Sequence, residues 1–307
     1  MEIYLPLAEI SVNWAMILCM GAAVGFLSGM FGVGGGFLMT PLLVFYGVPP
    51  AIAVATQAPH ITASSVSGVL TQWRRGGVDF KMGGVMLAGG LVGSVIGVEI
   101  FGFLQRIGQI EFVVTAGYVV LLGSIGGLML NESLRTILAR LRGDPKASGE
   151  RWNQHNWIHG LPFKVRFRHS RLYTSVLPPI VLSLGAGMLT AILGVGGGFL
   201  LVPAMIYLLR MPANVVVGTS QFQILFVTAA ATILHAVSNQ TVDLTLAFLL
   251  VLGGVIGVQW GVRVGARLRG EELRALLGIL VVLVACRLLI ELVTPPEDVY
   301  SIIMGAP

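Results

Sequence analysis

The chain has 307 residues, 55% of them hydrophobic and 11% charged, and its 19 Lys and Arg against 14 Asp and Glu leave a net charge of +5. Soluble domains carry about 25% charged residues, so this composition excludes a soluble enzyme, a disordered chain and a nucleic-acid-binding module. Mean hydropathy is +0.88 and 41 residues are glycine, as expected of helices packed closely in a membrane, where small side chains let backbones approach. The two cysteines, Cys19 and Cys286, lie in separate apolar runs and exclude a disulfide framework.

The amino-terminal MEIYLPLAEI holds Glu2 and Glu9, and no Lys or Arg precedes Arg74. A cleavable signal peptide needs a basic start, so this segment is expected to stay in the mature chain. Crossing the hydrocarbon core takes about 20 apolar residues. In chain order, apolar windows cover residues 13–31, 36–46, 51–73, 82–104 and 110–130. After a polar stretch they cover 175–193, 198–209, 215–237, 244–263 and 273–293. The expected fold is an all-α polytopic membrane protein of about ten transmembrane or re-entrant helices, with the second window of each set too short to span alone.

The basic residues test that count. Arg74, Arg75, Lys81, the nine from Arg135 to Arg171, Arg210, Arg263, Arg267, Arg269 and Arg274 all fall on one side of an alternating ten-helix topology. Arg106 alone falls on the other side, and Arg287 lies within the last window. The positive-inside rule then places loop 131–174 in the cytoplasm and both termini outside.

The two sets of windows resemble each other. Residues 31–41 read FGVGGGFLMTP and residues 193–203 read LGVGGGFLLVP. Pro50-Ala51 matches Pro212-Ala213, and Ala55-Thr56-Gln57 matches Thr219-Ser220-Gln221 after a two-residue insertion. Asp79, at the start of the fourth window, matches Asp243 at the start of the ninth. Gly89, Gly90, Gly93 and Gly97 match Gly253, Gly254, Gly257 and Gly261. Five windows per half is an odd number, so the second half is expected to be inverted in the membrane. The expected division is a first repeat over 1–130, a basic cytoplasmic loop over 131–174 and a second, inverted repeat over 175–307. Inverted repeats are a recurrent architecture of secondary transporters, with the substrate held at the midplane where the repeats meet.

The glycine motif is the most distinctive local signal. Gly34, Gly35 and Gly36, like Gly196, Gly197 and Gly198, fit a regular helix poorly, since each glycine costs about 1 kcal/mol relative to alanine. A broken or re-entrant helix is tolerated in a membrane where it is buried in protein or lines a cavity. Its free amides and positive dipole end bind an anion without a buried Arg or Lys. The competing reading is that these glycines only permit tight helix crossing. A nucleotide loop is excluded, because no Gly-Lys-Ser/Thr follows and no acidic residue stands about 20 positions on.

Paired GVGGGF motifs, Pro41 and Pro203, and the Thr/Ser-Gln pairs together resemble the sulfite exporter TauE/SafE family, also called toluene sulfonate uptake permeases. The likeness covers roughly residues 13–130 and 176–293, and the loop segment LPFKVRFR at 161–168 resembles that of a proteobacterial subgroup. The resemblance implies transport of sulfite, a sulfonate or a related sulfur-containing anion across a bacterial inner membrane. The substrate residues implied by motif and spacing together are Gly34–Gly36, Thr56, Gln57, His60, Gly196–Gly198, Thr219, Ser220 and Gln221. No cofactor, metal or nucleic-acid partner is expected; membrane lipid and a coupling proton or sodium ion are.

Polar groups within membrane helices usually face a cavity or a neighbouring helix. Gln57, His60 and Ser64 share one face of the third helix, and such neutral donors suit a sulfonate oxygen without holding it too tightly for release. Thr62, Ser65, Thr228 and Thr232 are expected to bond to their own helix carbonyls. His60, beside Pro59, is read either as a proton carrier or anion contact, or as a neutral histidine bonded within the bundle. His235, Glu99 and Arg263 are expected at the membrane interface, and Arg287 and Glu291 as a mutually neutralising i, i+4 pair. Asp79 and Asp243 are expected to cap the fourth and ninth helices. In the loop, alternating Lys164, Arg166 and Arg168 predict a short strand or an arm on anionic head groups, and His155 and His159 are too few for a metal enzyme. An anion channel and, at greater distance, a membrane-embedded enzyme are the rival classes.

Overall fold

The computed structural model describes residues 2–31, 34–141, 164–167, 169–170, 172–209, 211–265 and 270–294. The chain opens with strands β1 (Glu2–Leu5) and β2 (Ile10–Asn13), followed by helices α1 (Trp14–Phe31), α2 (Gly36–Phe45), α3 (Pro50–Arg74), α4 (Phe80–Arg106) and α5 (Ile110–Leu141). Strands β3 (Lys164–Phe167) and β4 (Leu172–Ser175) lead into α6 (Leu177–Leu193), α7 (Gly198–Tyr207), α8 (Ala213–Leu234), α9 (Leu244–Gly265) and α10 (Gly270–Val293). A π-helical turn, His235–Asn239, extends α8. Each apolar window has thus become one helix. The largest departure is α5, which continues past its window to Leu141 through a sequence of good helix formers, since a helix need not stop where its apolar stretch does.

Among the described residues, six helical segments are long and apolar enough to cross a membrane: Trp14–Phe31, Phe80–Arg106, Ile110–Asn131, Val215–Asn239, Leu244–Gly265 and Leu276–Val293. Helix α3 has the length, at 25 residues, but is too polar. Helices α2 and α7 have ten residues each, a length of about 15 Å. The polarity of the bundle is reversed relative to a soluble protein. Val120, Leu128, Phe248 and Trp260 are well exposed, whereas Thr56, Gln57, His60, Thr219, Ser220 and Gln223 are buried. Such an apolar exterior is the surface that a lipid environment covers.

The principal pairings are α1 on α9, α6 on α4, α3 on α8, α5 on α10, α3 on α9, and α8 on α4. Exchanging α1–α5 for α6–α10 turns this set into itself. The α1–α9 seam brings backbones together through Gly21, Gly25 and Gly29 on one side and Gly253, Gly257 and Gly261 on the other. In the α4–α6 seam, a Cβ placed on Gly97 would lie 2.7 Å from the Met188 carbonyl oxygen. These glycines therefore serve close crossing. Overpacking costs about 1–3 kcal/mol, so Gly257→Val, whose Cβ would come 2.7 Å from the Phe26 amide nitrogen, is expected to lower the melting temperature in detergent. Gly123→Val, with nothing within 4 Å, is expected to leave it unchanged.

The hairpins follow the same exchange. Antiparallel pairing runs from Glu2↔Asn13 to Leu5↔Ile10 in one and from Lys164↔Ser175 to Phe167↔Leu172 in the other. The spacing between them is the spacing between the two glycine motifs. Leu5 and Phe167, at equivalent positions, are both fully buried. Asn13 Oδ1 accepts from the Ala15 amide at 3.0 Å at the start of α1, as Ser175 Oγ accepts from Leu177 at 3.3 Å at the start of α6. Of the strand or arm expected at 164–168, residues 164–167 form a strand, Arg168 lies outside the described residues, and Lys81 Nζ donates to the Arg166 carbonyl at 3.4 Å. Trp152, His155, Trp157 and His159 lie outside the described residues, as do Arg210, Arg267 and Arg269.

Candidate functional site

The described glycines of each motif take left-handed backbone conformations: Gly34 and Gly35 have φ of 87° and 71°, Gly196 and Gly197 of 79° and 69°. Glycine adopts this region without steric cost, and α2 and α7 each start directly after such a glycine pair. Within each turn the first helical amide bends back, Gly36 N donating to Gly34 O at 3.0 Å and Gly198 N to Gly196 O at 2.8 Å. The two motifs abut. A Cβ on Gly36 would lie 2.6 Å from the Gly194 carbonyl oxygen and 2.8 Å from that of Val195. Ile61 and Ile224 lie against Gly34, and Phe37 stacks on Phe199 with ring centroids 4.8 Å apart. Helices α2 and α7 therefore begin at one buried junction in the interior of the bundle.

Gln57 and Tyr118 reach the junction, and several buried polar side chains of α3 and α8 have unused capacity. Gln57 donates through Nε2 to the Gly194 carbonyl, so α3 of the first half holds the motif of the second. Its Oε1 has no partner. The Tyr118 hydroxyl from α5 donates to the Gly36 carbonyl at 3.4 Å, with Thr40 and Gln57 beside it. His60 is fully buried between the Gly21 backbone and Gly254, and neither ring nitrogen has a hydrogen bond of good geometry. Gln223 stands against Gly90, and Gln221 against Gly68, each with an unpartnered Oε1. Unpaired buried acceptors are costly, which marks these groups as candidates for contact with a ligand.

The hydroxyls flanking them are engaged within the protein. Thr56 Oγ1 accepts from the Asp243 amide at 3.0 Å, and Thr219 Oγ1 accepts from the Asp79 amide at the same distance. Ser220 Oγ donates to Val217 O at 3.0 Å. These reciprocal bonds correct the register between the halves: Thr56 corresponds to Thr219, His60 to Gln223, and Ile61 to Ile224. The insertion at this point is therefore one residue rather than two, and Gln57 corresponds to Ser220 rather than Gln221. Matching by residue identity misses this, because a one-residue shift turns a helix face by about 100°.

Other expectations divide. Asp79 Oδ1 caps α4 by accepting from Lys81 N and Met82 N, and Asp243 Oδ1 caps α9 through Thr245 N and Leu246 N. Thr62, Thr228 and Thr232 donate to carbonyls four residues back, but the Ser65 hydroxyl is buried without a partner. His235 is buried rather than interfacial. Its Nε2 lies 3.0 Å from the Ala191 carbonyl, Asn239 meets its Nδ1, and its ring packs edge-on against Phe101. Arg287 does not pair with Glu291; its guanidinium sits 5.5 Å from the Phe45 ring centroid, a cation–π arrangement. Tyr118 and Gln223 complete the cluster without having been singled out in the sequence, and Tyr118 has no counterpart in the second half.

An apolar-surfaced helical bundle with two short helices meeting at a neutral, buried polar junction defines a multi-pass membrane protein. The profile of the family described as "Sulfite exporter TauE/SafE" matches residues 17–288, and the chain belongs to that family. It is a family of transporters, not enzymes. The chain is 29% identical over 276 residues to "Probable membrane transporter protein YjnA" of Bacillus subtilis (strain 168), covering 89% of this chain and 98% of the relative. It is 25% identical over 288 residues to YunE of the same organism, also a "Probable membrane transporter protein", covering 91% and 98%. A third protein so named, from Xylella fastidiosa (strain 9a5c), is 29% identical over 275 residues, covering 86% and 90%. No solved structure matches the chain.

Proposed function

We propose that the protein is a secondary transporter that carries a small sulfur-containing oxyanion, sulfite or an organosulfonate, by alternating access between two inverted repeats in a bacterial inner membrane. The observation that carries this reading is the junction itself. Two motif turns from opposite halves meet in the bundle interior, and Gln57 reaches the Gly194 carbonyl there. Gln57, His60, Gln221 and Gln223, of the two helices that hold Ile61 and Ile224 against Gly34, carry buried unpartnered polar atoms. First-turn amides and positive dipole ends at α2 and α7 supply the electrostatic attraction for an anion. Neutral side chains supply the remaining bonds, and an uncharged site releases its load more readily than one holding a buried cation. Thr56, Thr219 and Ser220 position the helices that carry these groups. The Phe37–Phe199 stack and the Ile61 and Ile224 side chains against Gly34 close the junction, and rocking one half against the other opens it to either face. His60 is the group offered for a coupling proton, with a sodium ion as the alternative. The exchange symmetry of helix pairs and hairpins supports the inverted arrangement, and the basic loops support a cytoplasmic 131–174 segment with both termini outside.

Gln57→Leu and Gln221→Leu are expected to abolish saturable anion flux in proteoliposomes while leaving folded protein in the membrane. Losing a hydrogen bond to a charged ligand costs about 1.5–3 kcal/mol. Wild-type transport by both variants would remove these residues from the site. Binding assays with sulfite, sulfate, thiosulfate, sulfoacetate, taurine and aromatic sulfonates define the substrate, and unsaturable conductance without counterflow would indicate a channel instead.

A further inference from the structure

Two crevices open on the bundle, and they differ in charge. One, of about 400 Å³, is lined by Glu99 and Arg106 of α4 with Ser238 and Asn239 beyond α8. The other, of about 240 Å³, is lined by Ser67, Thr71 and Arg75 at the end of α3 with Gln259 and Arg263 of α9. Arg75 lies just before α4 and Arg106 ends it; the 27 residues of α4 span about 40 Å, so the crevices stand at opposite ends of the molecule. Glu99 and Arg263 are separated by the spacing that relates Asp79 to Asp243. The second crevice therefore carries a guanidinium where the first carries a carboxylate. Arg75 and Arg263 are both exposed, and neither side chain has an ion pair or hydrogen bond among the described residues. Arg75, Thr71, Ser67, Ser64, His60 and Gln57 follow at steps of three and four residues, which places them along one face of α3. That stripe leads from the crevice to the Gly194 carbonyl held by Gln57, along the seam where His60 meets Gly254 of α9.

We infer that the Arg75–Arg263 crevice is a collecting site for the transported oxyanion on one face of the membrane only, and that it feeds the junction along the α3–α9 seam. This deepens the transport reading above and rests on it. Two guanidinium groups bind the oxygens of a sulfite or sulfonate group by charge-assisted bonds, and Gln259 and Ser67 offer further donors. The crevice at the other end holds one acid and one base and gives an anion no comparable attraction. A phosphate head group of a lipid has the same chemistry and is the competing occupant.

The test measures saturable flux of radiolabelled sulfite in right-side-out and inside-out vesicles, for wild type and for Arg75→Gln, Arg263→Gln, Glu99→Gln and the conservative Arg75→Lys. Each Arg→Gln change is expected to raise KM roughly tenfold, as expected for a lost bond to a charged group, for one vesicle orientation and to leave the other within about twofold. Arg75→Lys is expected to keep most of the wild-type affinity, and Glu99→Gln to leave the affected face unaltered. Both arginines are exposed and bonded to nothing described, so folded yield and melting temperature should match wild type. Equal KM changes on both faces, or none, overturn the inference while leaving the Gln57 and Gln221 result standing. In proteoliposomes of phosphatidylcholine alone, persistence of the one-sided effect assigns the pair to the transported anion. Its disappearance there, with recovery on adding anionic lipid, assigns the pair to a head group and overturns the inference. Wild-type vesicles without saturable sulfite flux in either orientation count instead against the carriage of sulfite on which the inference depends.

Discussion

Gly36→Ala is expected to reduce transport roughly ten- to a hundredfold, because overpacking of about 1–3 kcal/mol falls directly on the contact between the two motifs. The added methyl would stand 2.6 Å and 2.8 Å from the carbonyl oxygens of Gly194 and Val195, inside any normal carbon–oxygen contact. Those carbonyls belong to backbone held by Gln57, so even after the Ile61 side chain turns aside, relief requires separating the start of α2 from the 194–195 segment. The comparison that isolates this effect is Gly47→Ala. Gly47 has φ of 93° but nothing within 4 Å of a Cβ, so its replacement meets only backbone strain of about 1–2 kcal/mol, away from the junction. Gly47→Ala is therefore expected to lower thermal stability modestly and to leave KM unchanged. Equal transport by Gly36→Ala and wild type in proteoliposomes would mean that the close approach of the motifs has no part in the transport cycle.

The sequence is most informative where a property is local. Hydrophobic length located nine of the ten described helices within a few residues and the start of α5, whose end lies eleven residues past its window. The short windows at 36–46 and 198–209 became ten-residue helices because the positive-φ glycines before them stop any continuous helix. The caps at Asp79 and Asp243 were legible for the same reason: a polar residue with an acceptor stood immediately before an apolar run. Properties set by another element were not legible. Burial of His235 depends on Ala191 from α6 and Phe101 from α4, neither of which is near it in sequence. Tyr118 sits in an apolar window with no repeated counterpart and so reads as core, although its hydroxyl reaches the first glycine motif. The kinship of the hairpins was hidden because Glu2–Leu5 and Lys164–Phe167 share a pattern of alternation rather than residues, and strand alternation tolerates almost any polar residue on its open face. The off-by-one register in α3 and α8 shows the limit most sharply. Thr-Gln and Ser-Gln look equivalent as words, but helix rotation decides which hydroxyl meets the opposite half.

Asp79→Ala is expected to be among the most destabilising single substitutions, by about 1.5–5 kcal/mol, since orphaning a buried donor costs about 1–3 kcal/mol and losing a cap about 0.5–2 kcal/mol. One carboxylate serves four donors. Its Oδ1 accepts from Lys81 N and Met82 N, both at 3.1 Å, and its Oδ2 accepts from Ser170 N at 3.0 Å and Ser170 Oγ at 2.6 Å. Its own amide donates to Thr219 on α8. The residue thus ties the start of α4, the β3–β4 turn and α8 together at one end of the bundle. Asp243 repeats the arrangement at the other end with Thr245, Leu246 and Thr56, but its bond to the β1–β2 turn is a single one, from Leu7 N at 3.4 Å. Leu7 is partly open to solvent, where water replaces a lost partner. Asp243→Ala is therefore expected to cost less than Asp79→Ala, and the order is itself a test. A double-mutant cycle of Asp79→Ala with Ser170→Ala, measured by unfolding in mixed micelles, should give a coupling energy above about 1 kcal/mol, as contacting polar pairs do. Additive losses would place the hairpin outside the cooperative unit. Coupling of that size means that each hairpin moves with the first turn of α4 or α9, and through Thr219 or Thr56 with the α8 or α3 segment that carries the junction glutamines. A rocking motion of one half then carries its hairpin clamp along, instead of bending the helix beside the site.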